Sequence, residues 1–133
     1  MKRGFVEPLE KVTRSNGYYR RVLYTSENMQ LVVMTLEPEV EIGLETHPDT
    51  DQFFRIESGT GVAIINGISY IIQNGTGIVV PAGVEHNIIN TNQAVSLKLY
   101  TIYSPPHHQD KLVQRTKKSS LNADEVFTGV TTE

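Results

Sequence analysis

The stretch Gly43-Leu44-Glu45-Thr46-His47-Pro48-Asp49-Thr50-Asp51-Gln52-Phe53-Phe54-Arg55-Ile56-Glu57-Ser58-Gly59 decides the fold when it is read with a second one, Gly75-Thr76-Gly77-Ile78-Val79-Val80-Pro81-Ala82-Gly83-Val84-Glu85-His86-Asn87-Ile88-Ile89-Asn90. Each sets groups able to hold a metal in a segment otherwise patterned as β-strand. The reading is that the two segments meet inside a small barrel.

The surrounding sequence supports an all-β architecture. Between residues 40 and 103 short strand-like runs are separated by turn signals, among them Asn66-Gly67, residues 74–77 and residues 81–83. Signals spaced by roughly 8 to 12 residues point to a sandwich or barrel. The strongest hairpin is Val62-Ala63-Ile64-Ile65 and Ile68-Ser69-Tyr70-Ile71-Ile72 around Asn66-Gly67, since a type I′ turn needs positive φ at both central residues. Pro8 and Asn16-Gly17 mark residues 1–17 as an irregular lead-in. Tyr18 to Thr25 reads as a strand, and the adjacent Arg20 and Arg21 argue against full burial, so it is expected at a sheet edge or against a second subunit. Gln30 to Leu36 is apolar on both faces, which suggests cover on both sides and motivates a homodimer; the alternative is cover by the same chain. A short helix is expected over residues 123–127, with Asn122 as N-cap and Glu125 three residues on.

Composition limits the chemistry. A chain of 133 residues, 38% hydrophobic, suits one domain with a real core. With no cysteine, disulfides, thiolate metal sites and cysteine nucleophiles are excluded. A net charge of −3 gives no electrostatic reason for a nucleic-acid partner. No apolar run approaches the length of a membrane span or a signal peptide, so a cytoplasmic protein is expected.

Strand alternation then proposes a site. Alternate residues of a strand share a face, which puts Glu45 and His47 on one side about 7 Å apart. A strand beginning at Gln52 that keeps Arg55 and Glu57 out of the core turns Gln52, Phe54 and Ile56 inward. The same rule groups His86, Ile88 and Asn90. If both faces point inward, Glu45, His47, Gln52 and His86 converge as two imidazoles, a carboxylate and an amide oxygen. That set suits a divalent Mn, Fe, Co, Ni or Zn ion with positions left for water or substrate. On spacing alone these residues also read as ordinary core or surface histidines and a Glu45–Arg55 pair.

The two stretches resemble the two motifs of the cupins, G-x5-H-x-H-x3-4-E-x6-G and G-x5-P-x-G-x2-H-x3-N. Gly75, Pro81, Gly83, His86 and Asn90 match every defined position of the second. In the first, His47 falls on the second histidine and Gly59 on the last glycine, while Glu39, Glu45 and Gln52 stand where the family has glycine, histidine and glutamate. Carboxylate and amide have exchanged places around retained histidines. The resemblance implies a double-stranded β-helix, or jelly-roll, barrel over residues 29–106, an N-terminal arm and edge strand over 1–28, and a tail over 107–133. It also implies a metal held by Glu45, His47, Gln52 and His86, beside an apolar pocket lined by Phe54, Ile56 and Ile88. If the strand over residues 95–103 turns Lys98 outward, Leu97, Leu99, Thr101 and Tyr103 face in, and Tyr103 becomes a candidate pocket hydroxyl.

The chain is similar to compact bacterial cupins of the mannose-6-phosphate isomerase-like type. A metal-dependent isomerase or dioxygenase acting on a sugar or enolisable carbonyl compound is one expectation. A non-catalytic small-molecule binder with a structural metal or none is the other. No spare inward carboxylate presents itself as a base, which weighs against an isomerase. His107 and His108, adjacent and beyond the barrel strands, read as a solvated pair, and Asn90 as an amide that closes the following loop.

Overall fold

A computed structural model describes residues 1–121 and 123–133. Nine strands and two short helices follow in the order α1 (Leu9–Ser15), β1 (Arg20–Thr25), β2 (Gln30–Leu36), β3 (Asp51–Ser58), β4 (Thr60–Ile65), β5 (Ile68–Gln73), β6 (Gly77–Val80), β7 (His86–Ile89), β8 (Leu97–Ser104), β9 (Val113–Gln114) and α2 (Lys117–Leu121) among the described residues. They build a jelly-roll barrel from a six-stranded sheet, β6-β3-β8-β2-β1-β9, and a three-stranded sheet, β5-β4-β7, with antiparallel pairing throughout.

Alternation decides what fills it. Along β8, Leu97, Leu99, Thr101 and Tyr103 are buried while Lys98 turns out, and along β3 Gln52, Phe54 and Ile56 point inward. Together with Val32, Met34, Leu36, Ile72 and Ile88 they form one core. The hairpin between β4 and β5 turns on Asn66 and Gly67, whose φ angles of 49° and 79° meet the type I′ requirement.

Several expectations are corrected. The lead-in contains α1, a helix too short for its apolar period to be read. Its local signals were Pro8 ahead of the first turn and the Glu10–Arg14 pair at 3.4 Å one turn apart. Lys98 Nζ caps its far end, donating to the Arg14 and Asn16 carbonyls at 2.8 Å. The C-terminal helix covers Lys117–Leu121, whereas residues 123–127 are not helical; the expected cap, Asn122, lies outside the described residues. That segment is held by tertiary bonds instead, with Phe127 N–H donating to the His107 carbonyl at 3.0 Å.

β2 is buried at every position, and its own chain supplies both covers. Inside lie Val32, Met34 and Leu36. Outside, Thr35 exchanges hydrogen bonds with Asn16 at 2.7 and 3.0 Å, and Phe5, Tyr24 and Met29 lie beside Leu31. The argument from β2 to a second subunit therefore falls away. β1 is not an edge, because β9 pairs along it, and Arg20 is buried.

Candidate metal centre

Main-chain bonds lace the two opening stretches together. Glu45 and His86 form an antiparallel bridge in which each N–H donates to the other's carbonyl at 2.9 Å. Gly83 N–H donates to the His47 carbonyl at 2.8 Å, and Ala82 N–H to Asp51 Oδ1 at 2.8 Å. Gly83 has φ of 84°, a conformation glycine adopts without strain. The turn before His86 is thereby seated on the loop that carries His47.

The side chains converge accordingly. One ligand atom each from Glu45, His47 and His86 lies within 4.8 Å of the others. Gln52 joins them with Oε1 at 3.1 Å from His86 Nε2. All four sit at one end of the barrel interior, where His47, Gln52 and His86 are buried. Burial alone would raise the Glu45 carboxyl, yet the His47 contact and the charges of His47, Arg20 and His86 hold it below its ordinary value.

Two features fit a cation. His86 Nδ1 lies 2.9 Å from the Val84 carbonyl, which can only accept, so that nitrogen carries the proton. In neutral His86 the Nε2 lone pair then faces the Gln52 carbonyl oxygen, two acceptors aimed at one point. His47 Nε2 is 3.1 Å from Glu45 Oε2 but out of line for a hydrogen bond, and it is buried with no hydrogen-bond partner among the described residues. An ion between these atoms satisfies all of them.

Sequence reasoning missed the rest of the site. The four histidines of the chain form one cluster: the His47 ring lies 5.3 Å from His86 and 4.4 Å from His107, and His107 lies 4.7 Å from His108. His108 is buried, so the pair is not solvated. The reading from alternation failed because the segment is not an extended strand: the side-chain Oε1 of Gln30, a wholly buried residue, accepts both the His107 and His108 N–H groups at 3.2 and 2.9 Å. Burial, with His108 and His47 nearby, brings His107 down to about 4. Tyr103 stacks on His107 at 5.4 Å, and burial raises its hydroxyl.

Glu125 supplies the missing carboxylate, from the tail. Its Oε1 meets His108 Nδ1 at 2.5 Å, and its Oε2 accepts the Gln109 N–H at 2.7 Å. Arg20 is the second surprise. On the inward face of β1 it donates to Gln114 Oε1 at 2.7 Å, stacks over Tyr19 at 5.1 Å, and makes no ion pair among the described residues. Its charge acts on Glu45, Tyr103, His108 and Glu125.

Of the expected pocket, Phe54 packs edge-on against His86 at 6.0 Å and Tyr103 against His47 at 5.9 Å. Ile56 and Ile88 lie within the sealed core. A separate apolar cleft of about 350 Å³ opens between β5 and β6, lined by Ala63, Ile65, Tyr70, Ile72 and Ile78, and it shares no lining residue with the histidines. No helix of the described residues is long and apolar enough to cross a membrane.

The family model for the cupin domain matches residues 32–103. The chain is a cupin. Uncharacterized protein L612 of Acanthamoeba polyphaga mimivirus is 46% identical over 107 residues, covering 78% of this chain and 67% of that one. Uncharacterized protein YrkC of Bacillus subtilis is 38% identical over 127 residues, covering 91% and 68%. The crystal structure of BH2720 from Bacillus halodurans superposes with a TM-score of 0.88 at 36% identity, covering 91% of this cupin and 96% of that chain. Cupins commonly bind a divalent metal, and the Glu45, His47 and His86 group of this cupin could hold one.

Proposed function

We propose that this cupin binds a divalent transition metal through Glu45, His47, Gln52 and His86 and acts on a small molecule bearing an anionic or enolisable oxygen. The observation that carries the reading is the pair of opposed acceptors, His86 Nε2 and Gln52 Oε1, 3.1 Å apart beside an unpartnered His47 nitrogen. When bound, a metal of this class supplies Lewis acidity toward a carbonyl or hydroxyl, or a redox centre. The chain's own residues do the remainder. Phe54 and the packed strands exclude water from the inner side of the ligands. His107, neutral at physiological pH, stacked on Tyr103 and tilted against His47, forms the wall a ligand would meet.

Arg20 favours an enolisable carbonyl compound or carboxylate over a neutral sugar. A buried guanidinium without a carboxylate partner is costly, and an anionic oxygen in the site would offset that cost. Metal analysis of tag-free protein tests the first half of the reading: His86→Ala should abolish a near-stoichiometric metal content. Equal metal in the variant would reject the assignment. A non-catalytic binding role for the same site is favoured by one observation, the near-complete burial of His47 and His86 beneath the 107–108 segment. Turnover of enolisable substrates by the metal-loaded protein separates the two. All four proposed ligands belong to one chain, so neither reading requires a homodimer.

A further inference from the structure

From Ser58 to Val84 the chain carries no charged residue, although charged residues make up 20% of the whole. That interval holds β4, β5 and β6, and two of the three are sheet edges: among the described residues β5 pairs only with β4, and β6 only with β3. An open strand edge invites pairing by another chain, and proteins usually guard one with lysine, proline or a bulge. β5, Ile68–Gln73, has no such guard, and its register against β4 is unbroken.

The surface around that edge is apolar. Ile71 is 86% exposed, Val79 69%, Ile68 57% and Tyr70 51%. Tyr70, Ile71 and Val79 line the cleft between β5 and β6. At on the order of 200 Å² for each large apolar side chain, roughly 500 Å² is left open, a patch of the size that marks an interaction site. The main chain of β5 and the neighbouring turns bring it toward the ~800 Å² that each partner contributes to a stable dimer.

The main chain also says how a partner strand would lie. The two-residue turn makes Ile65 and Ile68 a hydrogen-bonded pair, and alternation along the hairpin sends the N–H and C=O groups of Ser69, Ile71 and Gln73 to the free edge. Gln73 is already engaged by Thr76, whose Oγ1 accepts its N–H at 3.1 Å and whose N–H donates to its carbonyl at 2.9 Å. Ser69 and Ile71 remain. A second β5 laid antiparallel, with Tyr70 opposite its own copy, joins Ser69 of each chain to Ile71 of the other, so every one of these free groups finds a partner. The strand is its own complement. Tyr70 then meets Tyr70 on the cleft side, and the two Ile71 side chains lie diagonally on the other face within reach of each other. With no charge in this interval on either copy, the edges meet without like-charge opposition.

We propose that the β5 edge is the contact between two copies of this cupin, continuing the three-stranded sheet of one chain into that of the other across a two-fold axis through Tyr70. The contact involves none of the four proposed metal ligands and stands or falls apart from them.

The test is light scattering on the full, tag-free chain after size exclusion, over a range of concentrations. The parent should show twice the 14.9 kDa mass of one chain. Ile71→Lys places a charge beside the axis and should give the monomer mass, with the circular dichroism and Tm of the metal-free protein retained because the side chain is exposed. The chain has no cysteine, so Tyr70→Cys reports the pairing alone. Opposed residues of a non-hydrogen-bonded antiparallel pair have Cα atoms about 4.5 Å apart, within reach of a disulfide. Mild oxidation should therefore convert Tyr70→Cys to a covalent dimer on a non-reducing gel. A parent that is monomeric at every concentration would overturn the proposal; if its cleft then takes up an apolar dye, the surface belongs to a small apolar ligand instead. Persistence of the dimer in Ile71→Lys, or a Tyr70→Cys dimer that does not cross-link, would place the contact on another face and overturn it equally.

Discussion

Glu45 and His86, forty-one positions apart in the sequence, are held face to face by a pair of main-chain hydrogen bonds of 2.9 Å. Because the bonds belong to the backbone, the two side chains are positioned whatever they are. This separates folding from metal binding at Glu45.

Glu45→Ala should therefore leave the fold intact and weaken metal binding by at least about tenfold, the equivalent of ~1.4 kcal/mol. Calorimetric titration with Zn(II), alongside circular dichroism of the apo protein, checks both halves. A weakened fold with unchanged affinity would show that Glu45 serves structure instead.

Glu39 stands where the cupin motif has glycine, and its φ is 66°. The left-handed conformation costs a residue with a side chain about 1–2 kcal/mol. Glu39 is exposed, so Glu39→Gly removes little else. The variant should be more stable than the parent by up to about 1 kcal/mol once glycine's extra unfolded-state entropy is deducted. Urea denaturation reads this directly.

Asn90, matched to the last position of the second motif, is wholly buried and structural. Its Nδ2 reaches the Leu36, Glu37 and Val95 carbonyls at 3.0, 3.1 and 2.9 Å, and its Oδ1 accepts Asn92 N–H at 3.0 Å. Asn90→Ala strands several buried groups and should destabilise by about 2–3 kcal/mol, with metal affinity per folded molecule unchanged. Chemical denaturation and metal titration of the same sample give both numbers.

Acid should loosen the tail. Burial lowers His108 below its ordinary 6.5 despite Glu125, with Arg20 opposing its charge further and Glu45 favouring it. A base with a depressed folded value takes up protons more readily when unfolded, so its stabilising contribution is full above 6.5 and declines as pH falls below it. Glu125, held below 4.5, adds a loss of the same sign at still lower pH. In chelator-treated protein, Tm should fall by several degrees between pH 7.5 and pH 5, and the slope should be shallower in His108→Gln. A flat profile in the parent protein would contradict the assignment.

Much of this was legible from residue order because strand alternation is local. Gln52, Phe54 and Ile56 on one face, Leu97 to Tyr103 on another, and the Asn66-Gly67 turn needed only nearest-neighbour rules. The convergence of Glu45, His47 and His86 followed from the same rule applied twice. α1 escaped because seven residues give too few turns for a period to emerge. Arg20 escaped because charge argues for exposure unless the burying partners are known, and Gln114 lies ninety-four positions away.

The sequence by itself determined the barrel, the two motif loops, and the identity of Glu45, His47, Gln52 and His86 as residues on inward faces. Only the tertiary structure decided that His107, His108, Glu125 and Arg20 belong to the same site. The physical reason is range. A side chain's face within a strand is set by its neighbours in sequence, whereas the docking of the tail on the barrel depends on Gln30, Gln109 and Phe127 meeting groups far along the chain.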